Sequence, residues 1–431
     1  MVWQPIAEGA LQEQLSRTAF EIAAALAARV NPDSDPTLCN GAAGQAVLHA
    51  YSARSREGLA DRTQAVRLLD QAAEAVATTP MQAALHGGFV GVAWALTHVE
   101  DVLGGAGDGD PLSEVDEVLL QALAPSSWPG TYDLMGGLVG IGIYAVERLP
   151  RPSGEAMLAR IVHLLAERAE RTGQGLTWFT APELLSTYAL SEAPRGWHNL
   201  GLAHGVPGVI GLLGCAVAAG VEAKTASELL DGAVTWLLRQ RLPAGSPSLF
   251  PRCLGPGVEP APARAAWCYG DPGVAAALLV AARCVGEPAW EREALTIARH
   301  AAARPPGESG IADASFCHGA AGLAHLFNRM YQSTGDPLLA RASRLWLEQT
   351  LAMRRPGCGV GGYLARVMSE AGQPAWEADP GILNGAAGVA LVLLAACTSV
   401  APEWDRMFLV SAKSRPPLRG RRRPGCLSMN G

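Results

Sequence analysis

Strand-like alternation of apolar and polar residues is scarce in this sequence, and aromatic residues make up only 6% of it. Hydrophobic residues nevertheless reach 49%, many of them in Ala, Leu and Val runs such as residues 273–282. Because a half-buried strand needs the alternation that is scarce here, the pattern predicts an all-α protein. The 431 residues are enough to bury a large core.

The chain also lacks an excess of positive charge and a long apolar run. Its 34 Lys and Arg residues against 40 Asp and Glu residues give a net charge of −6, which excludes a basic footprint for nucleic acid over the body of the chain. The apolar runs fall short of the roughly 18 residues of a membrane span. Residues 1–9 have neither the basic start nor the apolar core of a signal peptide. We therefore expect a cytoplasmic protein, at most peripheral to the membrane within a complex.

No Cys-x-x-Cys pair of the zinc-finger kind is present, and the nine cysteines are an odd number in a chain without an export signal. This favours reduced thiols and metal ligation over a disulfide framework. Cys268 and Cys317, the latter directly followed by His318, offer two thiolates and an imidazole. Zinc with three such ligands keeps a fourth position for water or substrate. The alternative is that both cysteines are small buried apolar residues.

What the sequence does contain is a repeated motif, Gly-x-x-Gly followed by an apolar run. The first glycines lie 47 to 68 residues apart, about the length of a helical hairpin with its loops. Each copy is predicted to open a helix, because glycines let the backbone turn tightly and approach a neighbour closely. The seven copies begin at Gly41, Gly88, Gly137, Gly205, Gly270, Gly319 and Gly385.

The two residues ahead of the first glycine differ from copy to copy, and they include the candidate metal ligands. If the copies surround an axis, these residues collect at one end, where Cys268, Cys317 and His318 would meet. His204 lies directly before Gly205, at the same offset as His318. A lone histidine is more often a satisfied core residue than a catalyst, but the shared offset weakens that interpretation.

Two charged residues stand close to these positions. Asp133 lies four residues ahead of Gly137 in an apolar setting, where a helix cap is the simpler interpretation. Arg264 lies four residues ahead of Cys268, after a Gly- and Pro-rich stretch, residues 245–262, that is predicted to form an irregular loop over the site. Its guanidinium could bind a carboxylate or stabilise an oxyanion. A solvated or ion-paired arginine is the alternative.

The extent of the repeat sets the domain organisation. Because the motif runs from Gly41 to Gly388, residues 1–410 are predicted to form one continuous domain. Residues 411–431 are a basic tail containing Pro and Gly, for which we predict disorder.

The combination of seven glycine repeats with three local motifs resembles the lanthipeptide synthetase C-like family. The motifs are Ala-His-Gly at 203–205, Trp-Cys-Tyr-Gly at 267–270 and Cys-His-Gly at 317–319. The resemblance extends over nearly all of residues 38–396. It implies an (α/α) toroid with seven inner and seven outer helices, in agreement with the seven copies of the motif.

The resemblance also implies a reaction and its partners. A zinc-dependent cyclase of this family adds cysteine thiols of a precursor peptide to dehydroalanine or dehydrobutyrine, which closes (methyl)lanthionine thioether rings in lantibiotic biosynthesis. The implied partners are the dehydrated lanthipeptide precursor, a separate dehydratase and an exporter. Carried over to this chain, the resemblance implies one zinc ion held by Cys268, Cys317 and His318, and an active site containing His204, Asp133 and Arg264.

Two other functions remain open from the sequence. Eukaryotic members of the family keep the zinc site and are associated with glutathione, so a non-catalytic zinc- and thiol-binding scaffold is the first alternative. An (α/α)-barrel glycosidase is the second, but it would need two carboxylates flanking a cleft, and only Asp133 stands out.

Overall fold

The computed structural model describes residues 2–29, 35–56, 58–105, 109–368 and 373–412, and these residues are mostly helical. An inner set of seven helices begins, in every copy of the motif, at the residue after the first glycine. The prediction that each copy opens a helix is therefore confirmed. The inner helices are α2 (Ala42–Arg56), α4 (Phe89–Leu103), α6 (Leu138–Arg148), α9 (Val206–Ala219), α11 (Asp271–Val285), α13 (Ala320–Thr334) and α15 (Ala386–Cys397).

Seven further helices form an outer layer. The inner helices are apolar and buried on most of their faces, whereas the outer helices bury one apolar stripe and expose charged residues, as amphipathic helices do. The outer helices are α1 (Gly9–Ala27), α3 (Leu59–Thr78), α5 (Ser113–Leu123), α7 (Pro152–Arg168), α10 (Ala223–Leu238), α12 (Pro288–Ala303) and α14 (Pro337–Ala352).

The inner layer closes on itself. Each inner helix packs against the next one along the chain, and α15 packs against α2. The outer helix α1 packs against α15, so that the first and last helices of the chain meet. The predicted (α/α) toroid with seven inner and seven outer helices is confirmed.

The β-structure is minor and lies between the third and fourth copies and in later loops. Strands β1 (Glu170–Thr172) and β2 (Gly175–Thr177) form a hairpin, and the short helix α8 (Thr187–Glu192) follows. The loop predicted over residues 245–262 is not wholly irregular, because β4 (Cys253–Leu254) pairs with β3 (His198–Asn199). A third antiparallel pair joins β5 (Ala365–Met368) to β6 (Pro374–Glu377), with Ala365 opposite Glu377.

The two glycines of the motif meet different steric demands. At the first glycine of the fifth copy, Gly270, φ is +111°, and a Cβ atom would lie 1.9 Å from the Arg264 carbonyl oxygen. At the second glycine of the second copy, Gly91, a Cβ atom would lie 2.8 Å from Cβ of Leu38, in the preceding copy. A side chain at either position would collide with its surroundings, so the motif needs glycine there.

A ring of backbone hydrogen bonds joins all seven copies at the N-terminal ends of the inner helices. In six copies the donor is the residue two positions ahead of the first glycine; in the third copy, Leu134 donates and Met135 accepts. All the residues that directly precede the glycines therefore lie at one end of the toroid. The bonds run from Cys39 to His86 (2.9 Å), His86 to Met135 (3.2 Å), Leu134 to Ala203 (3.1 Å), Ala203 to Cys268 (3.4 Å), Cys268 to Cys317 (3.2 Å), Cys317 to Leu383 (2.9 Å) and Leu383 to Cys39 (3.2 Å).

The centre of the toroid is filled by a segment near the C-terminus, a 3-10 helix spanning Glu403–Phe408. Arg406 pairs with Glu147 of α6, and Asp405 pairs with His325 of α13, so the segment contacts both sides of the ring. The Phe408 ring stacks on Phe316 with centroids 4.0 Å apart. This segment therefore forms the floor beneath the cysteine-bearing copies.

The predicted tail, residues 411–431, lies mainly outside the described residues, which end at Ala412. Its first residue, Ser411, donates a hydrogen bond to Asp405 in the central segment. The disorder expected for the tail stays a prediction. No described helix is long and apolar enough to cross a bilayer.

Shortening a side chain of the central segment should destabilise the fold without touching the predicted site residues. Phe408 is fully buried against aromatic rings, so Phe408→Leu should lower the free energy of unfolding by about 1–2 kcal/mol. Denaturant unfolding followed by circular dichroism measures this. Val118→Ala, at a position that is 53% exposed, is the matched control and should change the value by less than about 0.5 kcal/mol. Equal stability of the Phe408 variant and the control would contradict the packing described here.

Candidate metal and active site

The two cysteines and the histidine singled out in the sequence meet at the end of the toroid that carries the backbone ring. The Sγ atoms of Cys268 and Cys317 and one ring nitrogen of His318 all lie within 4.8 Å of one another. Around tetrahedral zinc, sulfur and nitrogen donors lie about 3.5–3.8 Å apart. The cluster therefore fits a zinc ion with three protein ligands, after small side-chain shifts. In the described part of the chain it is the only group of three such donors.

The electrostatics of the cluster favour one thiolate. A hydrogen bond from the Cys317 thiol lowers the pKa of Cys268 well below its usual value; His318 and Arg264 act in the same direction, whereas burial opposes them. The same hydrogen bond, together with burial, raises the pKa of Cys317. Because metals bind the thiolate form of cysteine, Cys268 is prepared for ligation.

A histidine–aspartate pair lies at the same end of the toroid. His204 Nδ1 is 2.6 Å from Asp133 Oδ2. The other carboxylate oxygen, Oδ1, accepts hydrogen bonds from the Gly136 N–H (2.9 Å) and the Thr131 hydroxyl (3.2 Å). Asp133 does not cap α6, because Gly136 precedes the N-cap residue Gly137 and the helix has no side-chain cap. It binds the turn ahead of the helix and, at the same time, His204.

The charges of this pair depend on each other. Burial lowers the pKa of His204, but the hydrogen bond and the charge of Asp133 outweigh it and raise the pKa above the usual value. Burial raises the pKa of Asp133, and the contacts with His204, Gly136 and Thr131 lower it overall. Nδ1 of His204 is bound to Asp133, and the side chain is 41% exposed. Nε2 is therefore the nitrogen that could exchange a proton with a substrate.

Arg264 lies beside the cysteines, and its side chain is exposed. It makes no hydrogen bond or ion pair with another residue in the described ranges, so the ion-paired alternative finds no partner there. Its charge lowers the pKa of Cys268 and of Cys317. The guanidinium is therefore a cation near the thiols whose donors bind no other described residue.

The structure adds two residues to this end that the sequence analysis did not single out. The Tyr269 ring lies 6.2 Å from the His204 ring at an angle of 28°, and its hydroxyl accepts a hydrogen bond from Asn199. The Arg252 guanidinium lies 5.8 Å from the Tyr269 ring centroid. Tyr269 could have been found from the sequence, because it shares the offset of His204 and His318. Arg252 could not, because its position depends on the pairing of β3 with β4.

A large cavity lies at the opposite end of the toroid. Its volume is about 1710 Å³, and it is lined near the C-terminal ends of inner helices by residues such as Glu100, Glu147 and Cys284. None of the candidate metal or active-site residues lines it. The predicted site residues therefore lie outside this cavity, at the end with the backbone ring.

Comparison with known proteins gives matches to a family model and to solved structures. Residues 32–409 match the family model described as Lanthionine synthetase C-like protein. Among solved structures, one described as nisin cyclase superposes with a TM-score of 0.72 over 91% of this chain and 97% of that chain, at 18% sequence identity. At that identity the structural match shows similarity of fold alone. A search of curated protein sequences gives no match.

Proposed function

The chain belongs to the lanthionine synthetase C-like family, and we propose from this premise that it is a zinc-dependent lanthipeptide cyclase. Its substrate would be a dehydrated precursor peptide, in which a cysteine thiol adds to a dehydroalanine or dehydrobutyrine of the same chain. The observation that carries the proposal is the cluster of Cys268, Cys317 and His318, which lies at the same end of the toroid as the His204–Asp133 pair.

The three donors would hold the metal and leave a fourth position for the substrate. Zinc bound there would keep a peptide thiol in its thiolate form at neutral pH. The three residues fit the role of metal ligands because two are thiols, and one of these, Cys268, has a lowered pKa. Their neighbours in the backbone ring hold both cysteines in place.

His204, Asp133 and Arg264 would act on the dehydroamino acid to which the sulfur adds. When the thiolate sulfur bonds to the β-carbon of the dehydroamino acid, the C=C π bond breaks and its electron pair moves toward the carbonyl oxygen as an enolate. The enolate then takes a proton at the α-carbon. Protonated His204 supplies that proton from Nε2, and Asp133 holds the ring through Nδ1. The guanidinium of Arg264 stabilises the enolate charge.

The proposed chemistry defines what must act before and after this protein. Dehydroalanine and dehydrobutyrine arise by removal of water from serine and threonine, so we propose a separate dehydratase as the supplier of the substrate. An exporter would take up the cyclised product.

Incubation with a dehydrated, cysteine-containing precursor tests the function. Because ring closure leaves the mass unchanged, free thiols are counted by alkylation and mass spectrometry. We expect the alkylated fraction to fall with time only when the protein is present. If all thiols persist while the protein binds glutathione, the non-catalytic scaffold is supported instead.

The pH dependence of ring closure should report the His204–Asp133 pair. A rate that needs protonated His204 falls as the pH rises through the pKa of this residue, which Asp133 raises above the usual value of about 6.5. Asp133→Asn removes that effect, so the alkaline fall should begin at a lower pH in the variant. The rate is measured against pH for both proteins at matched zinc content. An alkaline limb at the same pH in both would contradict the assignment.

A further inference from the structure

Asp313 lies behind the candidate ligand His318 and is only 2% exposed. Its Oδ1 accepts hydrogen bonds from the Ser315 N–H (3.0 Å) and hydroxyl (2.8 Å), and its Oδ2 accepts one from the Arg366 N–H (2.9 Å). The same Oδ2 lies 3.9 Å from His318 Nε2. Three donors therefore fix the carboxylate in place, with one oxygen facing the histidine.

The turn that Asp313 makes recurs in the toroid. In four copies the residue six positions ahead of the first glycine is Asp or Asn, and its Oδ1 accepts a hydrogen bond of 2.6–3.0 Å from the N–H two residues later. One of the four is neutral, so the turn needs the oxygen and not the charge. The four residues are Asp35, Asn199, Asp313 and Asp379.

Asp313 differs from the other two aspartates in the residue that stands directly before the glycine of its copy. The copies of Asp35 and Asp379 carry asparagine there, whereas the copy of Asp313 carries His318. The copy of Asn199 carries His204. The carboxylate that binds His204 belongs to Asp133, in the neighbouring copy. In the described part of the chain, each of the two histidines at this offset thus faces one buried carboxylate.

The two carboxylates face different ring nitrogens. Asp133 binds Nδ1 of His204 and leaves Nε2 available, whereas Asp313 faces Nε2 of His318 and leaves Nδ1 available. A histidine that binds a metal commonly donates its other N–H to a carboxylate, which fixes the tautomer and the ring orientation.

We propose that Asp313 is the positioning residue of the metal centre: it accepts the Nε2–H of His318 and so presents Nδ1 to the metal. The distance of 3.9 Å is about 1 Å longer than an N–H···O hydrogen bond, and it shortens when the metal is bound. This inference rests on the metal site proposed above but not on the reaction.

Zinc affinity of the full chain, measured by competition with a chromophoric chelator, tests the proposal. Asp313→Asn keeps the turn oxygen, as Asn199 does, and removes the charge, so zinc should bind about 10–100-fold more weakly. Asp379→Asn makes the same change in a copy without a candidate ligand and should bind zinc like the wild type. Equal affinity of all three proteins overturns the proposal.

A second measurement separates positioning from a structural role. The wild-type protein, with ¹⁵N-labelled histidine and ¹¹³Cd as the metal, should show cadmium coupling to one histidine at Nδ1, with Nε2 protonated. Coupling at Nε2, or no histidine coupling, overturns the proposal even if Asp313→Asn unfolds. Neither measurement uses a peptide. Failure of ring closure would therefore reject the proposed function and leave this inference standing, whereas unchanged zinc affinity in Asp313→Asn would do the reverse.

Discussion

Replacement of Cys317 by alanine should remove zinc from the purified protein and abolish ring closure. The variant loses one of three protein donors, and Cys268 and His318 alone do not make a three-ligand site. It also loses the hydrogen bond that lowers the pKa of Cys268. We expect elemental analysis to find one zinc per chain in the wild type and almost none in the variant. Thiol alkylation of the dehydrated precursor should show no loss of free thiols.

The matched control for this experiment is Cys358→Ala, because Cys358 is exposed and lies outside the cluster. It should retain the wild-type zinc content and rate. If Cys317→Ala holds as much zinc as the Cys358 variant, these three residues do not form the metal site. If it loses zinc but still closes rings, the metal site is correct and its part in catalysis is not.

The helical ring could be predicted because its signal is local. Each Gly-x-x-Gly motif marks the start of an inner helix, and the steric limits at positions such as Gly270 and Gly91 explain why glycine recurs there. The proximity of Cys268, Cys317 and His318 followed from their equal or adjacent offsets in two copies. Repetition therefore converted a local pattern into a prediction about distant residues.

The parts that escaped prediction depend on single, non-local contacts. Nothing in the residues around Phe408 indicates that they fill the centre of the toroid, because this follows from packing against Phe316 and Trp267 of two separate copies. Helix α7 ends at Arg168 because the residues that follow pair as β1 with β2. Arg252 reaches Tyr269 only through the pairing of β4.

The most informative distinction within the site is between binding the metal and moving the proton. His204 is not one of the three clustered donors, and its Nδ1 is bound to Asp133. His204→Asn should therefore leave the zinc content unchanged. It removes the only proposed proton donor, whose loss typically lowers a rate by about 10²–10⁴-fold. Ring closure by this variant should be slower by that factor, measured as free thiols remaining in the dehydrated precursor over time.

A histidine outside the site provides the control for this second prediction. His163 lies on the outer helix α7 with its side chain 47% exposed, so His163→Asn should retain both zinc and rate. A His204 variant that closes rings as fast as the His163 variant would show that the proton comes from elsewhere, for example from water. A His204 variant that loses zinc would place this residue in the metal site. Only retained zinc with slow closure supports the division of labour in which the cysteines and His318 activate the thiol and His204 protonates the carbon.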